Sequence, residues 1–506
     1  MVEDVAFAGY RETVLIILTI PKHNELSRRS LLPALFLYNR LIIPEIDMKK
    51  MIFKFLIYSV VAVMFIGCQT KPEPKKVITP ENALQSYLDN GDNSFNWEAQ
   101  DSTKTESSNL YRLQLTSQTW RDTIWNHELT VIVPNSVKYN DALLFITGGS
   151  IKKGLPNTHN WNEDLIVSLE QLAKINKAVV AIVWQIPNQP LYNGKTEDEL
   201  ISYTLHNFQN DSDYTWPLLF PMTKSAIKAM DAIQEFAVQK LNSKVNQFVV
   251  TGASKRGWTT WLTGAHDNRV KAIAPMVIDM LNWDLNIEYH KVTWGDYSIQ
   301  IEDYVKLGIA QQTNTPEGQK VAKMVDPYSY RSSLTMPKML LMGTNDEYWP
   351  VDAVKNYIDS IPGDNYICYT PNAGHDLGDK NTALSTLSAF FGNTISNSTY
   401  PKCDYSVSEE NGKITLTIQT TPEILEDAIL WSATSTDREF RDKVWSSVSL
   451  GKSKVSEFNL EIDYPETGFK AFYLDLKYKA PFTGSFTQST RMFLANSEKV
   501  LLLRGE

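Results

Sequence analysis

Continuous apolar stretches alternate with amphipathic stretches between residues 142 and 391, and this alternation restricts the possible folds more than any other feature of the chain. Residues 142–146 and 178–184 are short apolar runs, as strands buried on both faces are. Residues 161–175 and 220–241 carry apolar residues at helical spacing. Buried strands separated by helices form a parallel sheet with helices on both faces. The sequence therefore predicts an α/β fold with a mostly parallel central sheet.

Further elements follow from the same patterns, and they suggest two domains. Helices are also predicted at residues 81–88, 255–263, 351–361 and 382–391, and strands at 111–116, 128–133, 247–251, 272–278, 339–342 and 366–369. Past residue 400, strand patterns at 413–419, 428–431, 457–462 and 469–478 follow one another without helix signals. We expect residues 81–397 to form the α/β domain and residues 398–506 to form a separate β-rich domain similar to a small β-sandwich.

Residues 48–67 have the features of a secretory signal peptide. Met48 and two lysines precede an apolar run at 55–66, which is shorter than the roughly 20 residues of a transmembrane helix. The sequence FIGC at 65–68 resembles the lipobox of bacterial lipoproteins, in which the cysteine thiol is acylated, although Phe65 replaces the usual leucine. We expect Cys68 to be lipidated, residues 68–80 to form a tether, and the protein to be attached by lipid to a membrane of the bacterial cell envelope. A plain signal or anchor helix is the alternative.

Residues 1–47 precede this signal. An internal signal peptide makes poor physical sense, so we expect Met48 to be the true start and residues 1–47 to be a gene-model extension.

Composition excludes some classes of partner. The chain of 506 residues is 43% hydrophobic and 21% charged, which is typical of a globular protein with a large core. Its net charge of −9 argues against a general nucleic-acid partner, because phosphate neutralisation needs clustered lysine and arginine. The three cysteines show no metal-ligand spacing, and whether Cys368 pairs with Cys403 stays open, as does the oligomeric state. We expect neither a metal nor a cofactor.

The segment GASKRG, residues 252–257, joins the predicted strand at 247–251 to the predicted helix at 255–263. Small residues before Ser254 suit a sharp strand-to-helix turn, at which a hydroxyl projects from the carboxyl edge of the sheet. A serine hydroxyl is a weak nucleophile unless a base removes its proton, so a histidine and an acid are required elsewhere in the chain. Ser254 is the candidate nucleophile.

A suitable acid and histidine follow in the sequence. Asp346 comes just after the predicted strand at 339–342, and His375, one of only seven histidines, lies on a predicted loop before the last helix of the α/β domain. The order serine, aspartate, histidine is that of the α/β-hydrolases. Asp279, at the end of the strand at 272–278, is an alternative acid. Taken alone, His375 would more simply be a surface loop residue.

Two backbone N–H groups are candidates for an oxyanion hole. Gly149 follows the strand at 142–146, and Lys255 follows the candidate nucleophile. The usual elbow is G-x-S-x-G, whereas here the second glycine is Gly257, one residue late. The segment resembles the G-C-S-R-x-G elbow of glucuronoyl esterases, in which the arginine after the serine helps to stabilise the oxyanion. Lys255 stands in that place; a structural role for the Lys255 and Arg256 charges is the alternative.

Several long motifs identify the family. LTSQTWR (115–121), QIPNQPL (185–191), TGASKRGWTTWL (251–262), MPKMLLMGTNDEY (336–348) and NAGHDL (372–377) resemble the PhoPQ-activated pathogenicity-related family, and the resemblance covers residues 83–391. It implies an α/β-hydrolase fold and says little about the substrate.

These observations predict a serine hydrolase. We expect it to cleave a carboxylic ester of a small molecule or a glycan through an acyl-enzyme, with residues 187–216 and 283–330 forming the walls of its pocket. A serine peptidase, or a binding or signalling protein that keeps the fold without the activity, are the alternatives.

Overall fold

The computed structural model of the protein describes residues 77–506, and a mixed sheet with a parallel centre runs through them. The expected extension at 1–47, the signal at 48–67, Cys68 and most of the tether lie outside the described residues. The strands of the α/β part are β1 (Asn96–Lys104), β2 (Ser108–Trp120), β3 (Thr123–Pro134), β4 (Ala142–Ile146), β5 (Ile151–Lys152), β6 (Leu155–Pro156), β7 (Val180–Val183), β8 (Phe248–Ala253), β9 (Val270–Met276), β10 (Lys338–Gly343) and β11 (Asn365–Thr370).

The parallel strands lie in the order β7-β4-β8-β9-β10-β11. On the β7 side, β3, β2 and β1 continue the sheet as an antiparallel meander. All residues of β4 and β7 are buried, which is why these segments are continuously apolar. Parallel pairing also brings the carboxyl ends of β8, β10 and β11 to one edge of the sheet.

Helices cover both faces of this sheet. They are α1 (Ala83–Leu88), α2 (Asp164–Asn176), α3 (Glu197–Asp211), α4 (Leu219–Lys240), α5 (Lys255–His266), α6 (Trp283–Trp294), α7 (Glu302–Lys306), α8 (Pro316–Val325) and α9 (Asn381–Ser396). Alternate strand residues enter different cores: Leu144 packs with residues of α4 and α5, and Leu143 packs with residues of α2 and α9. The chain therefore has the α/β-hydrolase fold that the sequence predicts.

The C-terminal strands form two layers, as expected of a sandwich-like region. They are β12 (Asp404–Glu410), β13 (Lys413–Gln419), β14 (Leu425–Ser435), β15 (Ser446–Gly451), β16 (Glu457–Ile462), β17 (Phe469–Lys479), β18 (Ser485–Ser489) and β19 (Phe493–Ala495). Strands β12, β13 and β16 form one sheet, and Leu416 of β13 shares a core with Leu474 of β17. This region is not separate, however, because β18 pairs antiparallel with β11 and so extends the central sheet through β17, β14 and β15.

Some local predictions differ from the structure. The helix expected at 351–361 is instead two short 3₁₀ turns, Ala353–Asn356 and Ile358–Ser360. Residues 352–358 are all buried, so this segment lacks the exposed face of an amphipathic helix. Cys368 and Cys403 are both free. Among the described residues, no helix combines the length and apolar character that crossing a bilayer requires.

Candidate active site

Ser254 lies at a strained turn between β8 and α5. Its backbone has φ 58° and ψ −125°, values that a non-glycine residue rarely adopts, and its N–H donates to the Met276 carbonyl oxygen at 2.9 Å. A Cβ on Gly252 would come within 2.8 Å of the Ile146 carbonyl oxygen, and one on Gly257 within 2.8 Å of the Met276 carbonyl oxygen. The late second glycine therefore serves the close packing of α5 on β9, and the altered spacing still yields a sharp elbow.

His375 connects Ser254 to Asp346. Its Nε2 lies 2.9 Å from Ser254 Oγ, and its Nδ1 lies 2.9 and 3.0 Å from the two carboxylate oxygens of Asp346. The Asp346 carboxylate is 8% exposed and also accepts the Tyr348 backbone N–H at 2.9 Å. A carboxylate on Nδ1 holds the imidazole in the tautomer whose Nε2 accepts a proton. The structure thus brings the three side chains together in the order that proton removal from Ser254 requires.

Two neighbours of Asp346 hold the His375 loop in place. The Glu347 carboxylate accepts the His375 backbone N–H at 3.0 Å, and the Tyr348 ring lies against the imidazole with ring centroids 4.1 Å apart. A Cβ on Gly374 would lie 2.6 Å from a Glu347 carboxylate oxygen, so a glycine allows this close approach. Glu347 and Tyr348 directly follow the predicted acid, but no sequence pattern marks either of them for a role at the site.

The C-terminal region braces the segment that carries Asp346. The Asn345 side-chain amide donates to the carbonyl oxygens of Lys443 at 2.7 Å and of Phe440 and Arg441 at 3.2 Å. Asn345 directly precedes Asp346, so the segment at 440–443 fixes the strand end that carries the acid.

Asp279, the alternative acid, does not contact His375. Its carboxyl is 5% exposed, and its Oδ1 has no hydrogen-bond partner among the described residues. Burial, together with the nearby charge of Asp346, raises the pKa of this carboxyl to about 7. The hydrogen bonding therefore favours Asp346 as the partner of the imidazole.

The two cations after Ser254 are engaged in ion pairs. Lys255 Nζ lies 2.9 Å from an Asp198 oxygen, and the Arg256 guanidinium binds Glu197 through two bonds of 2.6 and 2.7 Å. Burial alone would raise the pKa of Glu197, but Arg256 and Lys255 outweigh it and hold the value at about 2. These side chains fix α3 to the amino end of α5, which is the structural role considered for them.

Of the two residues predicted to form the oxyanion hole, Lys255 lines the cleft beside Ser254 and Gly149 does not. The backbone N–H of Lys255 is the first of α5, so it has no partner within the helix, and Lys255 lines the same cleft as Ser254. Gly149 has φ 143°, and a Cβ there would approach the Gln185 backbone nitrogen to 3.1 Å, but Gly149 is not among the residues lining that cleft. The pairing of these two N–H groups at one oxygen remains a prediction.

A cleft that is partly open to solvent begins at Ser254. Five aromatic side chains line it: Trp258, Trp283, Tyr304, Tyr348 and Trp349. Both insertions expected to form pocket walls contribute, Asp198 from the first, and Trp283 and Tyr304 among others from the second. Within the described part of the chain, no group of three or more histidine, cysteine, aspartate or glutamate side chains could hold a metal ion.

The chain is similar in sequence to known proteins. Residues 84–441 match the PhoPQ-activated pathogenicity-related protein family. Autocrine proliferation repressor protein A of Dictyostelium discoideum is 29% identical over 430 residues, which are 78% of this chain and 85% of that protein.

Similar solved structures include two esterases. Acetyl xylan esterase 1 of Thermoanaerobacterium sp. superposes with a TM-score of 0.42 at 16% identity, over 62% of this chain and 95% of that one. A glucuronoyl esterase of Solibacter usitatus does so with a TM-score of 0.35 at 14% identity, over 60% of this chain and 90% of that one.

Proposed function

Because the chain belongs to the PhoPQ-activated pathogenicity-related protein family and Ser254, His375 and Asp346 form one hydrogen-bonded array, we propose that the protein is a serine hydrolase that cleaves carboxylic esters. The observation that carries the proposal is the 2.9 Å contact between Ser254 Oγ and His375 Nε2. This distance is within the reach that a general base needs to remove the hydroxyl proton.

Acylation uses these groups in turn. Ser254 Oγ attacks the ester carbonyl carbon while His375 Nε2 takes the hydroxyl proton, and Asp346 stabilises the imidazolium that forms. The carbonyl oxygen becomes negative and is held by the backbone N–H groups of Lys255 and Gly149. The bond to the alcohol oxygen then breaks, and His375 gives its proton to the departing alcohol.

Deacylation repeats the sequence with water. His375 takes a proton from a water molecule, whose oxygen attacks the carbonyl carbon of the acyl-enzyme. The bond to Ser254 Oγ breaks, the proton returns to that oxygen, and the carboxylic acid leaves. Apart from the substrate and water, these steps use only the side chains and backbone groups named above.

A fluorophosphonate probe tests the proposal, because it phosphonylates only a serine with an activated hydroxyl. We expect covalent labelling of the wild-type protein and hydrolysis of p-nitrophenyl acetate. Ser254→Ala should lose both, while Ser108→Ala should keep both, because it changes a buried serine of β2 whose hydroxyl has no hydrogen-bond partner among the described residues. A folded wild-type protein that neither reacts with the probe nor cleaves esters would be a non-catalytic member of the fold.

We also propose that Cys68 carries the lipid that attaches the protein to the cell envelope, on the strength of the signal-like residues 48–67 and the lipobox-like residues 65–68. Expression of residues 48–506 in a bacterium should give a protein that fractionates with membranes and incorporates labelled palmitate. Cys68→Ala should abolish the incorporation. Incorporation that persists in this variant would contradict the assignment.

A further inference from the structure

We propose that the aromatic cleft beside Ser254 binds the acyl group of the substrate and selects an uncharged, apolar acyl group longer than acetyl. The inference rests on the proposed function and adds to it the class of acid that the ester carries.

The interior of the cleft is apolar. Ile287, Ile301 and Ala310 are 3%, 4% and 1% exposed and line it together with the five aromatic rings. The indole N–H of Trp258 donates to the Val325 carbonyl oxygen, so it is already satisfied, and the Trp258 and Trp283 rings pack edge to face at 5.8 Å. Burying hydrocarbon against such a surface is favourable, whereas a polar group would find few hydrogen-bond partners there.

The charged groups of the cleft are already paired with one another. One Asp198 oxygen accepts the Tyr304 hydroxyl at 3.1 Å, and the other lies 2.9 Å from Lys255 Nζ. A charged acyl group would have to break this arrangement to find a partner and would otherwise lose its hydration without compensation. An uncharged acyl group leaves the pairs intact.

The position of the cleft relative to the imidazole identifies which half of the ester enters it. Ser254 and Lys255 line the cleft, whereas His375 does not. The departing alcohol must receive its proton from His375 Nε2, so it lies on the imidazole side of the reacting carbon. The cleft is lined by Ser254 and Lys255 but not by His375, so the group that enters it is the other substituent of that carbon, the acyl group.

A series of p-nitrophenyl esters tests the assignment, since it varies the acyl chain and keeps the leaving group constant. Each methylene that becomes buried should raise kcat/KM about fourfold, so hexanoate should exceed acetate on the order of 100-fold. A parallel series of acetates of longer alcohols should show no such rise. The inference is overturned if kcat/KM is flat or falls from acetate to hexanoate, or if only the alcohol series rises.

Two substitutions in one short segment provide a matched comparison. Ile301→Trp places a large ring in the cleft, while Ile299→Trp makes the same change two residues away at a position that is 68% exposed. The ratio of hexanoate to acetate kcat/KM should fall at least about tenfold in Ile301→Trp and stay at the wild-type value in Ile299→Trp. If Ile301→Trp does not fold, Ile301→Ala should move the preferred chain to a greater length. An unchanged preference in the folded Ile301 variant would overturn the inference.

The outcomes separate this inference from the proposed function. A protein that reacts with fluorophosphonate and cleaves acetate but gains nothing from longer acyl chains is a serine hydrolase whose cleft has been misassigned. A protein that neither reacts nor cleaves any ester contradicts both proposals.

Discussion

Asn372 and Trp445 are joined by a pair of hydrogen bonds between the asparagine side chain and the tryptophan backbone. The Asn372 amide donates to the Trp445 carbonyl oxygen at 3.1 Å, and its oxygen accepts the Trp445 N–H at 2.7 Å. Asn372 lies three residues before His375 with φ 57°, a conformation that asparagine tolerates better than most residues. The C-terminal region therefore fixes the loop that carries the proposed base.

Removing the two hydrogen bonds between Asn372 and Trp445 should lower activity by more than the accompanying loss of stability would explain. Asn372→Ala loses two hydrogen bonds, at about 1 kcal/mol each, and lets the His375 loop move. We expect kcat/KM for p-nitrophenyl acetate to fall at least about tenfold, since small displacements of reacting groups are costly. The matched control is Asn411→Ala, which carries the same backbone strain at φ 54° in an exposed turn and should leave kcat/KM unchanged. Equal activities of the two variants would show that the contact is only structural.

The two candidate acids can be distinguished by the same conservative change. Asp346→Asn alters the group that faces His375 Nδ1 and should lower kcat about 10⁴-fold, because the imidazole is then held in the wrong tautomer. Asp279→Asn changes a carboxyl that does not touch the imidazole and should keep kcat within the same order of magnitude. Steady-state kinetics on p-nitrophenyl acetate measures both. The reverse order of effects would assign the acid to Asp279.

Asp279 should instead govern part of the dependence of stability on pH. Because burial raises its pKa from 3.8 to about 7, the folded protein keeps this proton in that interval while the unfolded chain releases it. Below a pH of 3.8, the contribution of Asp279 to the free energy of unfolding therefore does not change with pH. As pH rises from there towards 7, Asp279 lowers the stability of the fold steadily. Burial also raises the pKa of the Asp326 and Asp475 carboxyls to about 7. These two groups therefore lower stability over the same pH range.

Thermal unfolding of Asp279→Asn tests this effect, because asparagine is uncharged at every pH. The difference in Tm between the variant and the wild type should increase in favour of the variant between about pH 4 and pH 7. A difference that stays constant across this range would mean that Asp279 keeps an ordinary pKa.

Gly343 should be intolerant of alanine for a reason that concerns the site. A Cβ at this position would lie 2.4 Å from the carbonyl oxygens of Ala373 and Gly374, which are backbone atoms of the His375 loop. Gly343→Ala should displace that loop and lower kcat/KM on the order of 100-fold. At Gly264 an added Cβ would meet side-chain atoms of Ile273 and Met336, which are not part of the His375 loop, so Gly264→Ala should keep its activity even if it unfolds at a lower temperature. Wild-type activity in Gly343→Ala would contradict the role of this close contact.

The elements of the parallel sheet were predictable because their signals are local. Strands buried on both faces are continuously apolar, as in β4, and glycine marks the turn before Ser254. The proposed nucleophile, base and acid each follow such a strand, and parallel pairing brings strand ends together at one edge. Their proximity therefore follows from the sheet, although the 2.9 Å contact between Ser254 and His375 does not.

Other parts of the site depend on contacts between distant segments, which a single sequence does not encode in a recognisable pattern. Asn345 and Lys443 are 98 positions apart, and Arg256 and Glu197 are 59 apart. Strand β1 was missed because most of its residues are exposed and polar, without the alternation of a half-buried strand. The pairing of β18 with β11 was missed for the same reason as the distant contacts, since nothing near either strand indicates its neighbour.

The continuity of the sheet across β11 and β18 has a practical consequence for anyone who wishes to shorten this protein. Cutting the chain after residue 397 would leave β11 as an open edge with unpaired backbone groups, which is a template for intermolecular association. The fragment at 81–397 should therefore aggregate on expression, whereas the chain that retains residues 398–506 keeps that edge covered.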